Sequence, residues 1–289
     1  MSTESRPSLN DVDDDDLRVS SSRKWMPASF FGYRPFPPVI NLYGNSSGVL
    51  DALTTYKLCG TDKNDFLYVV EVHHGFTPRG PLNFRPGFYL RNGTSTEAPI
   101  LAAAGDEARE PLLMSTFSVK SLIMLPPLVD MEMDEINTKN PRDLVTEIMY
   151  ATTNTNTSDG SVSFRFSVEV GHKMKSRGEF EWRKTRKSNT NHTQHSRYVL
   201  IRMPPSSTSA SPSSSTAQEE GDILADLTFR NAISLNHLFA LELKGAAASG
   251  EMGDRWTLMV VTTALRIYWL RIYGKTNKAV VEIGQKLRG

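Results

Sequence analysis

The sequence predicts a mainly antiparallel β domain that ends in one buried helix, and three observations carry that prediction. Between residues 52 and 243, short runs of β-branched, aromatic and aliphatic residues recur between clusters of Gly, Asn, Asp and Pro, the spacing of hairpins and meanders. In Ser163-Phe164-Arg165-Phe166-Ser167-Val168-Glu169-Val170 the large apolar residues fall on every second position, so one face of a strand is apolar while Arg165 and Glu169 take the other. The stretch 254–274 is apolar around its whole circumference, the mark of a helix surrounded on all sides.

The elements come in order along the chain. Residues 1–28 are rich in Ser and Asp, including the run Asp11 to Asp16, and too poor in large apolar groups to repay ordering, so they read as a disordered acidic tail ahead of a single domain at 29–289. Strands are expected at 52–58, 66–72, 87–90, 100–103, 117–125, 163–170, 178–182, 197–203, 224–229 and 238–243, about ten in all. Residues 204–220, almost all Pro, Ser, Thr and Ala, have nothing to bury and read as a disordered insert. The segment C-terminal to this insert is too short and too strand-like to form a core of its own, so the insert interrupts the domain and does not divide it. The helix is bounded by Asp254 as an N-cap and Gly274 as a stop. Its charge-free part, 256–265, is about half of the roughly 20 residues that a bilayer requires, which favours a core helix over a membrane span. Arg266 and Arg271 must then find a carboxylate, a carbonyl or the rim of the sheet.

Composition narrows the function. Cys59 is the single cysteine, which excludes an internal disulfide framework and suits a reducing, intracellular compartment. The start, Met1-Ser2-Thr3-Glu4, leads into acidic residues and lacks the basic and apolar regions of a secretory leader. Asn45-Ser46-Ser47 and Asn92-Gly93-Thr94 are therefore expected to be turns and not glycosylated sequons. A net charge of +1 gives no global attraction to nucleic acid or membrane, so any such attraction is local.

Phe66-Leu67-Tyr68-Val69-Val70-Glu71-Val72, Pro86-Gly87-Phe88-Tyr89-Leu90-Arg91-Asn92-Gly93 and Pro99-Ile100-Leu101-Ala102-Ala103-Ala104, in this order and succeeded by the helix Arg255-Trp256-Thr257-Leu258-Met259-Val260-Val261-Thr262-Thr263-Ala264-Leu265, give the chain its likeness. It resembles the tubby C-terminal-like superfamily, which includes LURP-one-related proteins and phospholipid scramblases, and in particular its uncharacterised fungal members, over residues 30 to 289. The resemblance implies a closed antiparallel barrel of about twelve strands enclosing the hydrophobic helix, with phosphoinositide or membrane association. It carries over no lipid-binding residue position by position. Scrambling is not implied, since the palmitoylated cysteine cluster and a calcium-site acidic loop have no counterpart here.

Three groups of residues invite chemistry. Gly44-Asn45-Ser46-Ser47-Gly48 matches the G-x-S-x-G nucleophile elbow, and residues 39–43 before it could be a strand. The β/α units that precede such an elbow in an α/β-hydrolase are missing, however, and a polar turn is the plainer interpretation. His73 and His74 are adjacent and point to opposite faces of a strand, Glu71 shares a face with His73, and His192 and His195 lie in a polar loop, so no metal set is expected. The segment 172–203 holds Lys173, Lys175, Arg177, Arg183, Lys184, Arg186, Lys187, Arg197 and Arg202 against Glu179 and Glu181, nine positive charges and two negative. Such a hairpin could hold phosphates of lipid or nucleic acid, with Trp182 and Tyr198 touching an interface or stacking on a base. It could equally be a solvated outer face.

The expectation is thus a non-enzymatic, intracellular and monomeric binding or scaffold protein with no cofactor and no metal. Its expected partner is an anionic membrane lipid or phosphoinositide, held by Lys173, Lys175, Arg177, Arg183, Lys184, Arg186 and Lys187. Nucleic acid at the same hairpin, and a serine hydrolase using Ser46, are the alternatives.

Overall fold

The computed structural model describes residues 32–45, 54–107, 117–128, 144–153, 161–185, 196–204, 222–230 and 236–287. The expected tail at 1–28, the insert from 205 to 220, and Ser46, Arg186, Lys187, His192 and His195 lie outside these residues.

Twelve strands form one closed sheet: β1 (Val39–Gly44), β2 (Thr55–Cys59), β3 (Phe66–His73), β4 (Gly87–Arg91), β5 (Ile100–Asp106), β6 (Lys120–Leu125), β7 (Val145–Thr153), β8 (Val162–Val170), β9 (Ser176–Lys184), β10 (Arg197–Arg202), β11 (Ile223–Phe229) and β12 (Phe239–Leu243). Each strand pairs antiparallel with its neighbours in sequence, and β12 returns to β1 with Val39 opposite Glu242 and Leu42 opposite Phe239. Two strands exceed the ten expected from runs of residues: β1, which the sequence suggested only as the lead-in to the Ser46 turn, and β7. The latter escapes because its pattern VTEIMYATT puts Val145, Ile148 and Tyr150 at positions that are exposed or half-buried, blurring the alternation. Phe117 to Val119, expected within β6, precede it.

Alternation decides which residues face inward. Phe164, Phe166 and Val168 of β8, Phe180 and Trp182 of β9, and Phe229 of β11 are buried in the lumen together with the helix α1 (Asp254–Ile272). The outer wall carries Arg165, Glu181, Arg183, Asp226 and Glu242, charges that a lipid-facing barrel wall excludes. β4 and β5 are buried on both faces because the segment after β3 folds over the outside and lays Leu82 on Tyr89, Ala103, Leu122 and Met124.

Within the lumen, Arg255 to Ile267, Trp269 and Leu270 of α1 are all buried. Its threonines avoid stranded hydroxyls by bonding back to the helix: Thr262 to Leu258 O at 2.7 Å and Thr263 to Val260 O at 2.9 Å. Arg266, 2% exposed, donates through Nε to Ser121 Oγ at 2.8 Å and through Nη2 to Asp106, which also accepts from Lys275 Nζ at 2.8 Å. Arg271 lies over the Phe229 ring, 4.8 Å from its centroid, near the rim. Gly274 ends the helix with φ +69, and the bonds Gly274 N to Arg271 O and Lys275 N to Leu270 O form a Schellman turn.

Two details differ from expectation. The N-cap is Gly253, with no side-chain cap bond, so Asp254 is the first helical residue and not the cap. The chain also does not end its regular structure at Gly274: Asn277 accepts from Ala279 N and starts α2 (Lys278–Lys286), which buries Val281 and presses Gly284 against the Phe117 carbonyl, where a Cβ has no room. At nine residues α2 is too short to show a clear period in sequence. No helix among the described residues is long and apolar enough to cross a membrane.

Candidate functional site

The basic segment 172–203 comprises the turn 171–175 and the antiparallel pair β9 and β10, with 186–195 outside the described residues, and the barrel divides its charges between two ends. From Lys175 to Lys184 is nine steps along an extended strand, about 30 Å, so the two lie at opposite poles of the barrel. Lys173 and Lys175 occupy the pole where α1 begins. Arg183 and Lys184 belong to the pole where α1 ends.

Several expected ligands are already occupied. Arg183 Nε bonds Glu181 at 2.5 Å, and Arg165 Nε bonds the same carboxylate at 2.9 Å. Burial by itself would raise the Glu181 carboxyl, yet the bonds from Arg165, Arg183 and Ser163 outweigh it and hold the group below the usual carboxylate range. Arg197 is paired with Asp226. Arg177 is bound to Glu147, to Glu169 at 2.7 Å and to Ser167 Oγ at 3.1 Å. Its role is local: the ladder between β7 and β8 covers only 150–153 against 162–165, and beyond it the ion pairs Arg177–Glu147, Arg177–Glu169, Arg255–Glu169 (2.8 Å) and Arg255–Glu147 (3.8 Å) bridge the two strands. Burial would raise Glu169 as well, but the Arg255 bond and charge, with Arg177, hold it low. Trp182 and Tyr198, expected near an interface, are corrected to the lumen. Trp182 Nε1 donates to Thr263 Oγ1 at 3.1 Å, and Tyr198 packs between Phe164 and Phe229. Strand parity places both inward, a consequence of the register set by Phe180 and Leu200.

The described cations of the segment without an ion pair are Lys173 and Lys175 on the turn, and Lys184 and Arg202 on the strands. His172, Lys173, Met174 and Lys175 are exposed, and among the described residues no carboxylate pairs with Lys173, Lys175 or Lys184. The turn is held firmly: Gly171 N donates to Met252 O at 2.8 Å, Met174 N to Gly171 O at 3.2 Å, and Gly253 (φ +85) rests so close to the Gly171 carbonyl that a Cβ would stand 2.8 Å from it. Met174 itself takes φ +46, an unfavourable value for a side chain that is displayed to solvent. Behind the turn lies a cavity of about 400 Å³ walled by Tyr33, Pro126, Pro127, Leu128, Met174 and Leu258, with His172, Asp254 and Arg255 also on its surface. Burial, reinforced by the charge of Asp254, pushes the Tyr33 phenol far above its ordinary value, so it presents a neutral hydroxyl.

The remaining candidates resolve structurally. Glu71 is taken by Arg91 (Nε at 2.8 Å) and Arg79 (2.5 Å), and His73 Nε2 lies 2.6 Å from Asn83 O. Among the described residues no three His, Cys, Asp or Glu side chains are grouped to hold a metal ion. Gly44 ends β1, which pairs antiparallel with β2, so the parallel sheet that an α/β-hydrolase elbow requires is not the architecture. Sequence reasoning missed the cavity, because its walls come from residues 32–33, 126–128, 171–174 and 254–258, joined only by the barrel's closure. Comparison with protein-family models, curated proteins and solved structures finds no match for this chain.

Proposed function

We propose that the chain is a non-enzymatic binding or scaffold module of the cell interior that associates with anionic phospholipid or phosphoinositide surfaces, and that it does so through the pole bearing the β8–β9 turn. The observation that carries this is Lys173-Met174-Lys175: two ammonium groups without a carboxylate partner among the described residues, on either side of an exposed apolar side chain, on a turn pinned to the central helix. An apolar tip between cations suits the boundary between headgroups and acyl chains, and Leu128, 45% exposed, extends the tip. The barrel around an apolar helix supports the likeness to tubby-like domains at the level of architecture. Nucleic acid is the weaker reading, because Trp182 and Tyr198, the aromatics that would stack on bases, are in the lumen.

Vesicle sedimentation tests the proposal. Lys173→Glu with Lys175→Glu should weaken binding to phosphatidylserine or phosphoinositide vesicles, each basic group near such a surface being worth about 1 kcal/mol. Lys184→Glu, at the other pole, should change it little. Wild-type binding should fall as salt is added. Equal affinity of wild type and the double variant would remove the turn as the contact, and binding to duplex or single-stranded nucleic acid in place of vesicles would favour the other reading.

A further inference from the structure

The turn lysines account for a charged surface but not for the cavity behind them. We propose that this cavity takes the hydrocarbon chain of a single anionic amphiphile, whose phosphate or carboxylate head stays outside against Lys173 and Lys175. The inference rests on the surface reading for its headgroup contact and adds a site for the chain, so that the protein binds one lipid-like molecule in the absence of a bilayer.

Volume, wall chemistry and charge all point this way. About 400 Å³ lies within the range of pockets that hold small ligands. Pro126, Pro127, Leu128, Met174 and Leu258 offer a ligand no hydrogen-bonding side chain, and Leu258, 1% exposed, makes the floor part of the barrel's core. The cation on the wall, Arg255, has its charge offset by Glu169 and Glu147: Nε bonds Glu169 at 2.8 Å and Nη1 the Pro126 carbonyl, while Nη2, 3.8 Å from Glu147, makes no hydrogen bond. Asp254, exposed at the mouth and negative, repels an acidic head from the interior. The lysines attract that head at the turn, and they flank Met174, which forms both the tip and the cavity wall. A chain entering beside Met174 therefore leaves its head between the two ammonium groups.

Isothermal titration with dodecyl phosphate below its micelle concentration provides the test, with inorganic phosphate and dodecyl maltoside as the head-only and chain-only arms. The expected result is saturable binding of one dodecyl phosphate per chain, tighter than either arm, together with slowed amide exchange at the turn and the first turn of α1. Leu128→Trp, a change at an exposed position that reduces the space in the cavity, should weaken dodecyl phosphate by about tenfold, the equivalent of one or two methylenes denied burial. The Lys173→Glu, Lys175→Glu pair should weaken it as well, while the melting temperature stays near wild type. Absence of saturable binding, or binding and exchange protection unchanged in Leu128→Trp, overturns the chain site. If vesicle binding persists in that case, only the cavity proposal fails. If vesicle binding is absent too, the surface reading fails with it.

Discussion

Asp106 is the residue on which the interior electrostatics turn. It projects from β5 into a largely apolar lumen, and it meets Arg266 from the helix and Lys275 from just beyond the helix. Burial would raise its carboxyl, but the two cations outweigh that and hold it below the usual range. Arg266→Leu would leave the buried carboxylate to Lys275 alone and Ser121 Oγ without its donor, so it should cost a large part of the roughly 3–5 kcal/mol that breaking a buried pair costs, read in urea unfolding. Arg266→Leu combined with Asp106→Asn should cost clearly less than the two single changes added together, and additive costs would show that the pair is not coupled. The same direction of shift at Asp106, Glu169, Glu181 and Asp226 sets the pH dependence. Each carboxyl titrates lower in the folded state than in the unfolded chain. Its contribution is therefore complete above its unfolded value of about 4 and is lost as pH falls through the folded value. Stability measured by denaturant should drop steeply below pH 4, after at most a shallow loss below about pH 6.5 from His237, which burial holds below the ordinary imidazole value, and a flat profile down to pH 3 would contradict this assignment.

At the scale of elements, α1 was legible because apolar residues on every side leave a helix no exposed face, and the lumen is what removes all of them from water at once. Leu265→Ala should destabilise by about 2–5 kcal/mol, and a chain cut before Asp254 should be insoluble or molten. A sharp thermal transition in that truncated chain would show that the barrel does not depend on its helix. The strands with strict alternation, β8 above all, were legible for the same kind of reason. β7 was not, because apolar residues on its outer side destroy the period, and α2 was not, because one buried face over nine residues is too little signal. The charge of the basic segment 172–203 was also legible, but its pairing was not. Arg177 meets Glu147, thirty residues earlier, and Arg197 meets Asp226, twenty-nine residues later, so neighbours in sequence could not reveal which cations remain for a partner.

Across the whole molecule, the last strand closes on the first and the helix that fills the ring comes after both. That order has a consequence during synthesis. When the ribosome has delivered β1 to β12, the sheet has all its strands, yet the apolar lumen side chains of Phe88, Phe164, Phe180, Trp182 and Phe229 have no helix to pack against. The usual advantage of folding the N-terminal part first is not available to a chain whose core is supplied by its C-terminal part. Nascent chains stalled where Leu243 has left the exit tunnel but α1 has not should accordingly remain protease-sensitive and bind Hsp70-type chaperones, and should become resistant only when the stall site lies far enough downstream for Ile272 to have left the tunnel. Protection acquired before α1 emerges would mean that the sheet closes on a lumen it can stabilise by itself.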